Sequence, residues 1–237
     1  QALADDPSMD GAALGRVICD AYYEGCQEAG TSDDATLSLT DLSRLESLMN
    51  AYERFGAEAL AAACDDPSFF TRFARVAAQS ENYGGNTREQ GYTNMVDLGH
   101  MARQSGDLLP SAQDVLDALD DCVLYQVKGP YRGEATGLSC YYSYNGDVDD
   151  LAGYTGVGAG EAFKYFYEYE LTGGGRRGVS GQHEYRRIRA AAGTEPDRHQ
   201  LGGCAADRQQ RRLRRADAGA GGRGASGIRE LLPVLRG

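Results

Sequence analysis

The sequence predicts a mixed α/β domain, mostly helices with a few short strands, over residues 1–173, followed by a disordered Arg/Gly-rich segment over residues 174–237. Charge divides the chain at that point. Residues 1–173 carry 10 Lys and Arg against 29 Asp and Glu, whereas residues 174–237 carry 14 Arg against 6 acids. Opposite balances of this kind mark two kinds of sequence. Aromatic residues divide it in the same place, because all 6 Phe and 14 of the 15 Tyr precede residue 174. Only the first segment therefore has the side chains to bury a sizeable core. Within it, apolar residues recur sometimes at helical spacing and sometimes in strict alternation, the two periods that separate helix from strand.

The elements follow in order. Leu14, Val17, Ile18, Ala21 and Tyr22 recur at i, i+3, i+4, i+7 and i+8, which places one apolar stripe on a helix from about Gly11 to Cys26. Gly30-Thr-Ser-Asp-Asp34 interrupts it, and Thr36 to Leu39 reads as a short strand. Thr40 or Asp41 can cap the next helix, in which Leu42, Leu45, Leu48, Met49, Tyr52 and Ala59 keep helical spacing towards Cys64. Asp66-Pro67 is a second start signal, and Phe69, Phe70, Phe73, Val76 and Ala77 supply the buried side of the helix that follows. The polar, glycine-bearing run from Asn82 to Gln90 reads as a loop. A helix is expected to resume near Thr93 and to carry Met95, Leu98 and Ala102.

Ser111-Ala-Gln-Asp114 has the form of a capping box, with Val115, Leu116, Leu119, Cys122 and Val123 forming one face of the helix behind it. Leu138, Cys140, Tyr142 and Tyr144 alternate with Ser139, Tyr141 and Ser143, which is the pattern of a strand, and Asn145-Gly146 ends it with turn chemistry. Phe163 to Leu171 fits both periods, since Tyr165, Tyr167 and Tyr169 alternate while Phe163, Phe166 and Tyr167 keep helical spacing.

Two motifs carry a resemblance. Thr36-Leu-Ser-Leu-Thr-Asp-Leu-Ser-Arg-Leu45, leading into a long helix, and Thr136-Gly-Leu-Ser-Cys-Tyr-Tyr-Ser-Tyr-Asn-Gly146, a hundred residues later, resemble the C-terminal part of the catalytic domain in clostripain-like cysteine peptidases (peptidase family C11), whose fold is related to the caspases and gingipains. The resemblance implies a partial caspase-like α/β domain over residues 1–173, and it favours helix for Phe163 to Leu171. It also implies that the family's catalytic histidine, followed by glycine, and its catalytic cysteine belong to a part of the domain upstream of Gln1. The intact enzyme would cleave peptide or protein substrates after Arg or Lys. This chain is expected to lack the N-terminal half of that domain and to be inactive alone. Clostripain-like proteins are often exported, so an extracellular or cell-surface location is the expectation from the resemblance. The sequence before Asp10 has neither an initiator Met nor the basic and apolar regions of a signal peptide.

The chain's own candidates for thiol chemistry were weighed against that pattern. A cysteine protease needs a thiol of lowered pKa, a histidine in hydrogen-bond reach and donors for the oxyanion. His100 precedes Met101, His183 precedes Glu184 and His199 precedes Gln200, so none has the following glycine. His100 is expected to be a partly buried or capping residue of its helix. Asp120-Asp121-Cys122 matches Asp-x-Cys formally but lies within a helix, where core packing is the expectation, and Cys140 falls on the buried face of its strand. No catalytic residue is assigned. Tyr83 to Gln90 is a candidate substrate-side loop by position.

No cofactor or metal is expected either. The six cysteines show no C-x-x-C and no metal spacing. Gly156-Val-Gly-Ala-Gly160 lacks the strand and downstream acid of a dinucleotide fingerprint. Asp147-Val-Asp149-Asp150 reads as a solvated acidic loop rather than a cation site. No run approaches the roughly 18 apolar residues of a membrane span, so no membrane partner is expected. A different class of function is a non-catalytic binding module, with Tyr141, Tyr142, Tyr144 and Tyr154 offering rings to a glycan or peptide; the opposing expectation is that these rings pack in a core.

After residue 173 periodicity fails. The segment combines 14 Arg with 13 Gly and has no Lys, the bias of a GC-rich gene translated out of frame. An authentic basic tail binding nucleic acid through phosphate charge is the alternative, and without it no nucleic-acid partner is expected.

Overall fold

The computed structural model describes residues 2–84, 93–143, 146, 148–157 and 160–172. The fold is mixed α/β and mostly helical, with two small antiparallel sheets. The Arg/Gly-rich segment, all of it after residue 173, lies outside the described residues.

A short turn of helix α1 (Ala2–Asp5) precedes α2 (Gly11–Glu28), which Asp10 caps by accepting from the Ala13 amide. Strand β1 (Thr36–Thr40) follows, and the Asp41 carboxylate caps the 3-10 turn Leu42–Arg44 that opens α3 (Leu45–Asp65). Asp66 folds back on Ser68, accepting from its amide at 3.0 Å and its hydroxyl at 2.8 Å, so α4 (Phe69–Gln79) starts after an Asx turn containing Pro67 rather than with proline in its first turn. Strand β2 (Met95–Asp97) then runs directly into α5 (Leu98–Ser105). The expected helix start near Thr93 is therefore corrected to Leu98. Residues 95–97 are held extended by pairing with β4 (Ser139–Tyr141), a long-range partner that overrides local helical spacing.

Helix α6 (Ala112–Cys122) forms where expected but stops short of Val123, and its cap differs. Ser111 makes no side-chain cap; its hydroxyl and its amide, the latter at 2.9 Å, both donate to Glu58 on α3. A charged acceptor on a packed neighbour outcompetes the local box. Glu53, one turn earlier on α3, likewise accepts from the Ala162 amide (2.8 Å) at the start of α8 (Glu161–Thr172), so α3 caps two helices with its own carboxylates. The helical reading of Phe163 to Leu171 thus holds. Val123 ends α6 and begins β3 (Val123–Lys128), a strand absent from the sequence reading, and Val148–Val157 form α7 where an acidic loop was expected.

The core gathers on α3, which packs against α6 and α8. Tyr52 stacks on Phe163 with centroids 4.8 Å apart, Phe55 meets Phe163 edge-on at 5.4 Å, and Phe73 meets Phe166 at 5.3 Å. Such pairs each contribute about 0.5–1.5 kcal/mol beyond the area they bury. Gly56 permits the α3–α8 crossing, because a Cβ there would lie 2.7 Å from Phe163 Cδ2.

The β1–β3 sheet touches this core through Val123 and is covered by α2. Gly15 faces Leu39 so closely that a Cβ would sit 2.4 Å from its Cδ1. Arg16 donates to the Leu124 carbonyl (3.1 Å) and lies over the Tyr125 ring, while the Tyr125 hydroxyl donates to Asp20 (2.6 Å). The apolar stripe of this helix is turned outwards: Val17, Ile18 and Tyr22 are 38 %, 55 % and 41 % exposed, and Cys19 is the buried residue of this helix. Small residues decide the contact face here, since only they let the helix approach the sheet.

Candidate functional site

Buried polar groups concentrate where β2 turns into α5. Asp97 is fully buried and ends the strand in an extended conformation, which lets its side chain cap the helix by accepting from the His100 amide at 2.8 Å. The same oxygen, Oδ1, accepts from the Thr136 hydroxyl (2.6 Å), while Oδ2 accepts from the Thr136 amide (2.7 Å) and the Tyr83 hydroxyl (2.6 Å). Four donors therefore meet one carboxylate. The Thr136 hydroxyl in turn accepts from the Gly99 amide (3.1 Å), and a Cβ at Gly99 would fall 2.5 Å from that oxygen. Burial, then the charge of Asp97 and the bond to it, raise the Tyr83 phenol well above its usual range, so its proton stays in place.

Arg132 extends the cluster. Its Nη1 donates to Glu81 Oε1 and to the Asn82 carbonyl, both at 2.9 Å, and its Nε donates to the Asp34 carbonyl at 3.3 Å. Both partners of the Arg132–Glu81 pair are largely buried. The guanidinium lies 5.8 Å from the Tyr83 ring centroid. His100 Nδ1 accepts from the Glu81 amide (3.1 Å), so a neutral ring carries its proton on Nε2, beside the Gln104 amide at 3.1 Å and the Glu134 carboxylate at 4.0 Å. The histidine is buried, as the sequence suggested, and the first residues of the expected loop, Asn82 and Tyr83, are anchored to this cluster. The rest of the candidate substrate-side loop, from residue 85 onwards, lies outside the described residues. In chemical terms the arrangement is a clamp that ties residues 81–83, 97–100 and 132–136 together.

The two candidate thiols sit elsewhere. Cys122 is fully buried at the end of α6 and donates to the Asp41 carbonyl at 3.6 Å; burial and then the Asp41 charge push its thiol up. Cys140, on β4, is buried, and burial followed by the Asp97 charge raises its thiol further still. Both environments favour the protonated thiol, the reverse of what activates a nucleophile. Neither thiol is among the ring contacts of His100.

The tyrosines of the binding-module reading pack on one another. Tyr141 stacks on Tyr154 at 4.2 Å, Tyr142 is buried against Tyr167, and Tyr167 donates to the Tyr141 carbonyl at 2.9 Å; Tyr144 lies outside the described residues. Gly160 adopts φ +73° against Tyr52, so this glycine serves a close approach of backbone to ring. Asp149 and Asp150 stand in the first turn of α7, and Asp147 lies outside the described residues. Among the described residues no group of three or more His, Cys, Asp or Glu is placed to hold a metal ion, and no helix is long and apolar enough to cross a membrane. A cleft of ≈ 530 Å³ opens between α5, α6 and β3, with Arg103, Asp117, Asp120, Tyr125 and Gln126 among its walls.

Sequence reasoning missed Asp97, Glu81, Arg132 and Thr136. An N-cap signal was available at Asp97, since an acid precedes the apolar-periodic run of α5. Nothing local marks Arg132, whose partner Glu81 is 51 residues away. The chain matches no family model, no curated protein and no solved structure.

Proposed function

We propose that residues 1–173 are the downstream part of the catalytic domain of a clostripain-like cysteine endopeptidase that cleaves after Arg or Lys, with a caspase-like fold in the intact protein. The observation that carries this reading is the strand Thr36–Thr40 followed by Asp41-Leu42 and the 21-residue helix α3, with the Gly-Leu-Ser-Cys-Tyr-Tyr strand a hundred residues later. Two further features support it. The β1–β3 sheet has only two strands among the described residues, so a neighbouring piece of domain has edges to join. The folded segment is also strongly acidic, with 29 Asp and Glu against 10 Lys and Arg, which favours cationic substrates by Coulomb attraction.

In this reading an upstream histidine and cysteine do the chemistry. The thiolate attacks the peptide carbonyl, the amine leaves, and water hydrolyses the thioester. This chain supplies the scaffold beneath them, with the Asp97 clamp fixing the segment that leads into residues 85–92. The test is hydrolysis of an arginyl reporter. The 237-residue chain alone is expected to give none, and coexpression with the upstream coding sequence is expected to give cleavage that thiol alkylation abolishes. Alkylation-sensitive cleavage by the chain alone, or an upstream reading frame without a His-Gly and an Asp-x-Cys strand end, overturns the proposal.

A further inference from the structure

We infer that the outer edge of β1 pairs with β1 of a second copy of this chain, forming a two-fold dimer with a continuous antiparallel sheet ordered β3-β1-β1-β3. The hydrogen-bond phase of the strand sets this up. The Ala35 carbonyl accepts from the Gly129 amide and the Asp41 amide donates to the Cys122 carbonyl, both at 2.8 Å, with Leu37 opposite Val127 and Leu39 opposite Tyr125 between them. Because antiparallel partners alternate, Ala35, Leu37 and Leu39 spend their backbone groups on β3, and Thr36, Ser38 and Thr40 turn theirs outwards. Among the described residues no strand pairs with that edge.

The occupant follows from self-complementarity. The strand reads Thr-Leu-Ser-Leu-Thr, the same in both directions. An antiparallel copy centred on Ser38 therefore sets Ser38 against Ser38, Thr36 against Thr40 and Leu37 against Leu39, and every outward N–H and C=O of the five residues meets its complement. Threonine pairs across strands are favourable ones. The other edge of the sheet is unsuited, because the register shifts at Leu39/Thr40 and Arg16 already occupies the Leu124 carbonyl.

Helix α2 fits the same two-fold. Arg16 and Asp20 reach over β3, so the helical phase turns Ile18 and Tyr22 towards the β1 side, where they are 55 % and 41 % exposed. With strands about 4.8 Å apart and α2 lying over both β1 and β3, the two copies of α2 come to run about 10 Å apart, a helix-packing distance, with Ile18 and Tyr22 between them. The apolar stripe that faces away from its own sheet thereby acquires a partner. An upstream piece joining the sheet at this edge competes with the second copy, so the inference concerns this chain without that piece, and its readout is self-association rather than hydrolysis.

The experiment is sedimentation of the full chain over a concentration series together with amide hydrogen exchange. The expected results are a particle of twice 25.4 kDa and exchange at Thr36, Ser38 and Thr40 that slows as concentration rises, while Leu37 and Leu39, bonded to β3 in either state, do not change. Ile18→Glu, which places like charges across the axis at an exposed position, is expected to run as monomer with unaltered circular dichroism. Thr36→Pro removes one outward N–H at the first position of the strand, where proline is tolerated, and is expected to weaken the dimer without affecting the fold. A monomer at every concentration, growth beyond two chains, a dimer whose Thr36, Ser38 and Thr40 amides stay unprotected, or a dimer that survives both substitutions overturns it.

Discussion

Replacing Asp97 with asparagine keeps shape and volume and should nevertheless be among the most damaging single substitutions in this chain. Each carboxylate oxygen of Asp97 faces one backbone N–H that cannot turn away, the His100 amide at Oδ1 and the Thr136 amide at Oδ2, together with one hydroxyl. An asparagine must present its NH₂ to one of these sides, so one buried amide loses its acceptor whichever way the side chain is set. On the Oδ1 side the Thr136 hydroxyl could turn and accept from the NH₂ with its second lone pair, but the His100 amide can only donate and would be left without an acceptor. A buried donor left without a partner costs about 1–3 kcal/mol, and the surviving bonds fall from charge-assisted to neutral strength, so Asp97→Asn should cost about 3–5 kcal/mol. That is a large share of the roughly 5–15 kcal/mol available to a typical domain. Tyr83→Phe removes one of the four donors and leaves no orphaned amide, so it should cost only about 1–2 kcal/mol. Urea unfolding followed by circular dichroism, at unchanged slope, measures both. A loss under about 1 kcal/mol for Asp97→Asn, or equal losses for the two variants, would refute the account of Asp97 as a four-donor acceptor.

Gly56→Ala sets helix propensity against packing: alanine gains about 1 kcal/mol in a helix interior, but its Cβ would lie 2.7 Å from Phe163 Cδ2 and 3.0 Å from the Phe163 amide, where backbone cannot yield. Overpacking of about 1–3 kcal/mol should win, and a thermal midpoint above that of the parent would count against it. Burial pushes the Glu170 carboxyl up from its usual 4.5 to about 7, so the folded chain holds this proton more tightly than the unfolded one. Its contribution to stability is complete below about pH 4.5 and is lost as pH rises to about 7. Glu170→Gln should flatten that decline and exceed the parent above pH 7 by on the order of 1–2 kcal/mol after allowance for solvent screening, and parallel pH–stability curves for the two proteins would exclude the effect.

Local pattern revealed some elements and misplaced others for identifiable reasons. Helix α6 was legible because Val115, Leu119 and Cys122 keep one buried face. Its cap was not, because the acceptor for Ser111 is Glu58, 53 residues earlier. Strand β3 went unread because Val123 continues the apolar spacing of α6, and only pairing with β1 makes the chain extend there. On α2 the periodicity was real but does not mark the contact face: Gly15 selects the face that touches the sheet, and the apolar stripe is left outside. The clamp at Asp97 was the least visible feature, since its bonds join residues 14, 39 and 51 positions apart.

What the sequence by itself determined is where a core can form and from which elements: the aromatic and apolar spacing of residues 11–172 commits most of that segment to helix, whatever lies beside it. Tertiary structure decided which face of each helix meets a neighbour, which amides accept caps from distant carboxylates, and that Asp97, Glu81 and Arg132 share one buried network. The division is physical. Periodicity is a property of neighbours along the chain, whereas a hydrogen bond to a buried charge depends on which distant segments the packing of α3 brings within about 3 Å.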